Sequence, residues 1–142
     1  MAEVDDFLRE TMPRLIDAEA ALHKGDVEPR LRMWSRSDPV TVFGAWTSEA
    51  GWQDVSKLFR GLASRFSDST SYDIELIAAG ASGDLAYTVA YEHNTVSVDG
   101  APRTYTLRAT HVYRREDGEW KLAHRHGDEL TADQKRLTST LP

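Results

Sequence analysis

Apolar residues in the first half of the chain recur at helical spacing. Val4, Phe7, Leu8, Met12, Leu15, Ile16 and Leu22 fall on one broad stripe, which predicts a helix ending near Lys24-Gly25. Pro13 interrupts the stripe and predicts a kink, or a restart with Thr11 as cap. Asp26 is then placed to cap a short second helix running to about Trp34. Ser37-Asp38-Pro39 reads as a turn, Val40-Thr41-Val42-Phe43 as a short strand, and Gly44 through Gly51 as a loop carrying Trp46. Trp52, Val55, Phe59, Leu62 and Phe66 repeat at steps of three and four, the mark of a third amphipathic helix.

After Ser67 the period changes to two. Tyr72, Ile74, Leu76 and Ala78 begin the alternation, and Gly80-Ala81-Ser82-Gly83-Asp84 ends it in a tight turn. Two long strands follow, about 85–98 and 103–115, joined through Asp99-Gly100-Ala101-Pro102. Glu116-Asp117-Gly118 turns the chain into a last strand, 119–128. Residues 129–142 form a polar C-terminal tail expected to fray, with one helical turn behind Thr131. Helices first and an antiparallel meander after them predict an α+β fold, one domain over residues 1–128 with the helices on one sheet face. The other face is not polar. Tyr87, Val89, Tyr91 and His93 share one side of their strand, and Tyr105, Leu107, Ala109, His111 and Tyr113 do the same on the next. One helical layer cannot cover both faces, so the tyrosine-rich side predicts a homodimer through the sheet.

Composition narrows the function classes. Of 142 residues, 17 are Lys or Arg and 23 Asp or Glu, for a formal charge of -6. An acidic chain with no basic cluster lacks the phosphate-neutralising charge that nucleic-acid binding requires. Zero cysteines exclude disulfides, thiolate metal sites and cysteine nucleophiles. The acidic start has none of the features of a signal peptide, and no apolar run approaches the ~20 residues of a membrane span. A cytoplasmic protein with no membrane partner is the expectation.

Candidate chemistry depends on strand register. A loop centred on Gly100 sets Glu92 against Arg108 and Asn94 against Thr106. A three-residue loop ending at Gly118 sets Arg108 against His126 and Thr110 against His124. The result is a polar patch of Glu92, Arg108, Thr110, His124 and His126 inside an apolar face. A two-residue Asp117-Gly118 turn would instead send the histidines to the other face. The first register gives Glu92 the cationic partner that a buried carboxylate needs. Glu92 is then the candidate base, Arg108 the oxyanion holder and His126 the proton donor. Thr110, His124, Asn94, Trp34, Phe43 and Trp46 are candidate binding residues. The His124-Arg125-His126-Gly127-Asp128 run could chelate a divalent ion, but no third imidazole aligns with it, and neither metal nor cofactor is expected.

Three stretches carry a family resemblance: Ala20 to Asp26, Asp38 to Gly44, and above all Leu107 to His126. They are similar to SnoaL-like members of the nuclear-transport-factor-2-like superfamily. The Arg114-Arg115-Glu116-Asp117-Gly118-Glu119-Trp120 portion also resembles the association domain of calcium/calmodulin-dependent kinase II, a non-enzymatic relative. The resemblance implies a cone, a strongly curved sheet wrapped around three helices, with an internal pocket and usually a dimer through the sheet. It leaves two functions open: proton-transfer chemistry on a small carbonyl compound, and non-enzymatic binding of a small organic anion. Ketosteroid isomerases in this superfamily place a tyrosine in the first helix and a carboxylate just after the first strand. Here no tyrosine precedes Tyr72, and Phe43-Gly44-Ala45-Trp46 follows that strand.

Overall fold

Three helices lead into a six-stranded sheet that curls around them without closing. The structure, a computed structural model, describes residues 2–141. In chain order the elements are α1 (Ala2–His23), α2 (Glu28–Met33), β1 (Thr41–Phe43), β2 (Ser48–Ala50), α3 (Trp52–Arg65), β3 (Phe66–Ser82), β4 (Leu85–Val98), β5 (Ala101–Glu116) and β6 (Glu119–Glu129). The strand order is β2-β1-β6-β5-β4-β3, and every pairing is antiparallel except that of β1 with β6.

α1 passes through Pro13 without a break. Its apolar stripe packs along β3 and α2, and that tertiary packing offsets the backbone bond the proline removes. Asp26 does serve the start of α2, its Oδ1 accepting the Glu28 N–H at 3.1 Å. Asp38 serves α3 from a distance, accepting the Trp52 N–H at 2.8 Å. The short strand β2 sits where a loop was expected, paired with β1. Phe7 sets its edge on Tyr113 and Trp120, with ring centroids 5.0 and 5.1 Å apart. Around these pack Leu15, Trp34, Phe59 and Leu122. A smaller cluster of Leu22, Ala63, Phe66 and Val96 lies beside it.

Both long hairpins close more tightly than the loops predicted for them. Asp99 and Gly100 have φ of 53° and 83°, and Asp117 and Gly118 have 51° and 76°. Two central residues at positive φ make a two-residue turn of the kind whose twist matches the strands. Val98 therefore pairs with Ala101, and Glu92 lies opposite Leu107, not Arg108. In the last hairpin the register shifts once more between Val112 and Tyr113, where Ala123 is the extra residue of a bulge. The tail does not fray either. A hydrogen-bonded turn forms from Thr131 to Gln134, in place of a helical one, and the chain then crosses the outer face of β3 and β4.

Candidate functional site

The two register changes re-sort the polar residues. On β5 they turn Tyr105, Leu107, Ala109, His111 and Tyr113 toward the helices and send Arg108 and Thr110 outward. On β6 the bulge keeps Trp120 and Leu122 inside, then turns Arg125 in and His124 and His126 out. Arg108, Thr110, His124 and His126 thus stay neighbours, but on the outer face, with Asp128. Arg108 pairs with Asp128 there at 2.7 Å, and Phe43 meets both histidine rings edge-on at 5.6 Å. Glu92 and Asn94 remain inside, each 2% exposed. The proposed pairing of Glu92 with Arg108 does not form, and the proton relay built on Arg108 and His126 lies across the sheet from Glu92. The four tyrosines of the expected dimer face divide likewise, with Tyr87 and Tyr91 outside and Tyr105 and Tyr113 inside.

Glu92 does have a cationic partner, Arg125. The guanidinium forks onto the carboxylate, Nη2 to Oε1 at 2.6 Å and Nη1 to Oε2 at 3.0 Å. A second buried pair stands beside it, Arg30 Nη2 donating to Glu19 at 2.7 and 2.5 Å. Arg125 reaches across to Glu19 at 3.9 Å, so two carboxylates and two guanidinium groups form one charge-balanced network. Burial pushes the pKa of Glu92 up, but the charge and hydrogen bonds of Arg125 outweigh burial and hold it well below the usual carboxylate range. Glu19 is lowered in the same way by Arg30 and Arg125. Tyr72 completes the shell, donating its hydroxyl to Glu92 Oε2 at 3.0 Å, with burial raising its own pKa well above normal.

Two buried histidines flank the network, and both are held neutral. Burial, reinforced by the charge of Arg125, brings His111 down to about 4. Its Nε2 lies 2.9 Å from Arg125 Nη1, and since arginine can only donate, that nitrogen is the acceptor. Burial also lowers the pKa of His23. Its Nδ1 sits 2.6 Å from the Glu19 carbonyl oxygen, which can only accept, so Nδ1 carries the proton and Nε2 keeps a lone pair. Glu19, Glu92 and His111 could bring three ligand atoms within 4.8 Å of one another. Both carboxylates, however, are already saturated by arginine, and the two guanidinium charges oppose a third cation. The trio belongs to the ion-pair network.

Above the network is a cavity of about 60 Å³. Its walls include Leu22, Leu58, Leu62 and Leu107, its mouth Trp46, Phe66 and Tyr105, and its polar lining His23, Arg30 and Arg125. Glu19 and Glu92 do not line the cavity, so the charge it meets is that of the two guanidinium groups, beside the neutral His23, Thr47 and Tyr105. Among the described residues, Nε of Arg30 is buried without a hydrogen-bond partner. Trp46 is 39% exposed and held over the mouth between the guanidinium groups of Arg65 and Arg103, at 5.1 and 5.6 Å. Of the binding residues predicted from sequence, Trp46 lines this cavity. Trp34 is core, packed edge-on against Phe59 at 4.9 Å, and Phe43 lies on the outer face.

His23, Arg30, Tyr105 and Arg125 were not among the candidates from sequence. A signal for them existed in α1, where Glu19 and His23 share the buried stripe with Leu15 and Leu22. An acid and an imidazole four residues apart on an apolar face require buried partners.

Comparison with known proteins agrees with this geometry. The sequence finds no match among curated proteins. Among solved structures, a ketosteroid isomerase-like protein from Erwinia carotovora atroseptica superposes with a TM-score of 0.71 at 14% identity, over 87% of this chain and 96% of that one. An NTF2-like protein of unknown function in nutrient uptake from Rhodospirillum rubrum gives 0.69 at 22% identity, over 87% and 98%. A candidate dehydratase of the NTF2-like family from Streptomyces avermitilis gives 0.69 at 18% identity, over 90% and 99%. At these identities the likeness establishes the cone fold, not the chemistry. The profile of the SnoaL-like domain matches residues 14–128, and with the cone and its inward polar cluster in place, the chain belongs to the SnoaL-like domain family.

Proposed function

We propose that the protein binds a small organic acid, or a molecule with a comparably strong acceptor oxygen, in the cavity between the helices and the sheet. One observation carries this reading: the arginines line the cavity while their carboxylates do not, with Arg30 Nε left unpartnered. An oxyanion there meets the guanidinium donors of Arg30 and Arg125 with no carboxylate facing it, while leucine walls and an aromatic mouth receive an apolar body. The headgroup meets the guanidinium groups, and the ligand body extends toward the mouth beside Trp46. Glu92 does not line the cavity and is firmly ionised, which makes it a poor proton acceptor.

A second reading, proton transfer, is favoured by His23 alone. It lines the cavity as a neutral imidazole with a free lone pair on Nε2, the state of a general base. The outer sheet face, with Leu85 58% and Tyr87 45% exposed, is the surface we propose for a second copy.

Thermal unfolding against a panel of small carboxylic acids and their neutral amides tests the binding reading. Acids should raise Tm and the matching amides should not, since only a ligand selective for the folded state stabilises it. Leu62→Trp, which fills the cavity, should abolish the shift, and Trp46→Ala should extend it to bulkier acids. A panel in which acids and amides behave alike overturns the reading.

A further inference from the structure

Strand β3 contains a register shift between Leu76 and Ala78, which leaves Ile77 unpaired with β4. Its carbonyl therefore stands outside the ladder and needs another donor. The tail supplies two: the Thr140 N–H at 2.8 Å and the Thr140 hydroxyl at 3.0 Å. Farther along, the Leu137 N–H donates to the Tyr91 hydroxyl at 2.7 Å. Arg136 lies over the Tyr91 ring at 5.3 Å, pairs with Glu75, and comes within 3.1 Å of His93 Nε2. These contacts leave Tyr91 only 4% exposed and Ile77 3%, although both face away from the helices.

The cover is partial. Leu85 and Tyr87 on β4 remain open, and a groove of about 340 Å³ separates the tail from Val89, Arg108, Thr110 and His126. It is also lightly held. Of the two leucines in residues 135–141, Leu137 is 53% exposed and Leu141 half-buried, and residues 131–140 are all exposed. A segment anchored by a few surface hydrogen bonds and one ion pair opens far below the global unfolding energy.

We propose that residues 135–141 are a removable cover on the outer sheet face, and that this face pairs with a second copy only when the cover lifts. The proposal rests on the reading that the outer face meets a second copy. The tail occupies the one part of the face where Ile77 and Tyr91 would extend the open patch of Leu85 and Tyr87. Lifting it also frees the Ile77 carbonyl and the Tyr91 hydroxyl. The tail and a second copy are therefore competitors for the same strip.

The test compares the parent protein with the full-length double variant Arg136→Glu/Thr140→Pro. The first change sets a carboxylate against Glu75, and the second removes the N–H given to Ile77. Amide exchange at Leu137 and tryptic cleavage after Lys135 report tail release; sedimentation velocity over a common concentration series reports association. Circular dichroism checks the fold, and Thr140→Pro alone, in an exposed segment, repeats the test more gently. The expected result is faster exchange and cleavage, with a dimer dissociation constant at least about tenfold lower than the parent's. Equal dimerisation of both overturns the cover and leaves the dimer standing. Monomers throughout overturn both. Weaker dimerisation of the variant makes the tail part of the interface, and a Leu137 amide that stays protected shows that Arg136 and Thr140 do not hold the tail.

Discussion

Glu92 and Arg125 are each tolerable inside the cone only because the other is there. Both are buried, and the fork between them uses both carboxylate oxygens. Glu92→Gln should therefore lower stability by about 3–5 kcal/mol, the usual cost of breaking a buried pair from one side. Equilibrium denaturation in urea measures it, and a change within about 1 kcal/mol would show the pair to be hydrated instead. The same experiment on Arg108→Ala should leave the midpoint essentially in place, because that arginine and Asp128 meet at the exposed surface. That Glu92 needed a cation was legible in the sequence from its place among Ala86, Thr88 and Ala90. Which cation was not, since Arg108 and Arg125 differ only in the face that the register gives them.

At the scale of elements, periodicity located the three helices and the four long strands, because alternation and helical spacing are properties of short windows. Pro13 shows where local reasoning stops. A proline predicts a kink or a restart in isolation, yet α1 runs unbroken through it, packed along its length. Pro13 is exposed, so replacing it opens no hole in the core. Pro13→Ala should stabilise the protein by about 1–3 kcal/mol, restoring an N–H for the Arg9 carbonyl, less the entropy that proline removes from the unfolded chain. A rise in the thermal midpoint checks it; a fall would mean that the proline fits a local bend that α1 requires. The turns were harder to read. Asp99-Gly100 and Asp117-Gly118 carry the composition of two-residue turns, but a loop one residue longer also satisfies the strand pattern. The bulge at Ala123 had no signal of its own.

At the scale of the whole molecule, the buried network makes the fold sensitive to acid in two stages. His111 titrates at about 4 in the folded chain, against 6.5 as its ordinary value. Between these values the unfolded chain binds the proton that the folded one refuses, so stability falls as pH drops from about 6.5 toward 4. His23, also lowered, adds to the same window. Below about 4.5 the unfolded chain begins to protonate Glu19 and Glu92, whose folded values are depressed, and a second loss follows. Denaturation midpoints taken from pH 7 to 3 should show both stages. His111→Gln should flatten the first and leave the second, and Glu92→Gln should shrink the second. A parent midpoint constant from pH 7 to 5 would mean that the two histidines are not held neutral.

The sequence by itself determined the class of fold, the helices, the long strands and the α1 stripe, along with the resemblance to SnoaL-like proteins. All of these rest on patterns that repeat within a few residues. Only the tertiary structure decided which polar residues meet. Side chains on a strand alternate with a period of two, so one residue of turn length or one bulged position exchanges the entire inner set for the outer. That exchange put His111 and Arg125 into the cone and moved Arg108, His124 and His126 to its outside. The place of the tail was likewise beyond local pattern, because its partners are a carbonyl freed by a bulge and the hydroxyl of Tyr91, some fifty residues earlier in the chain.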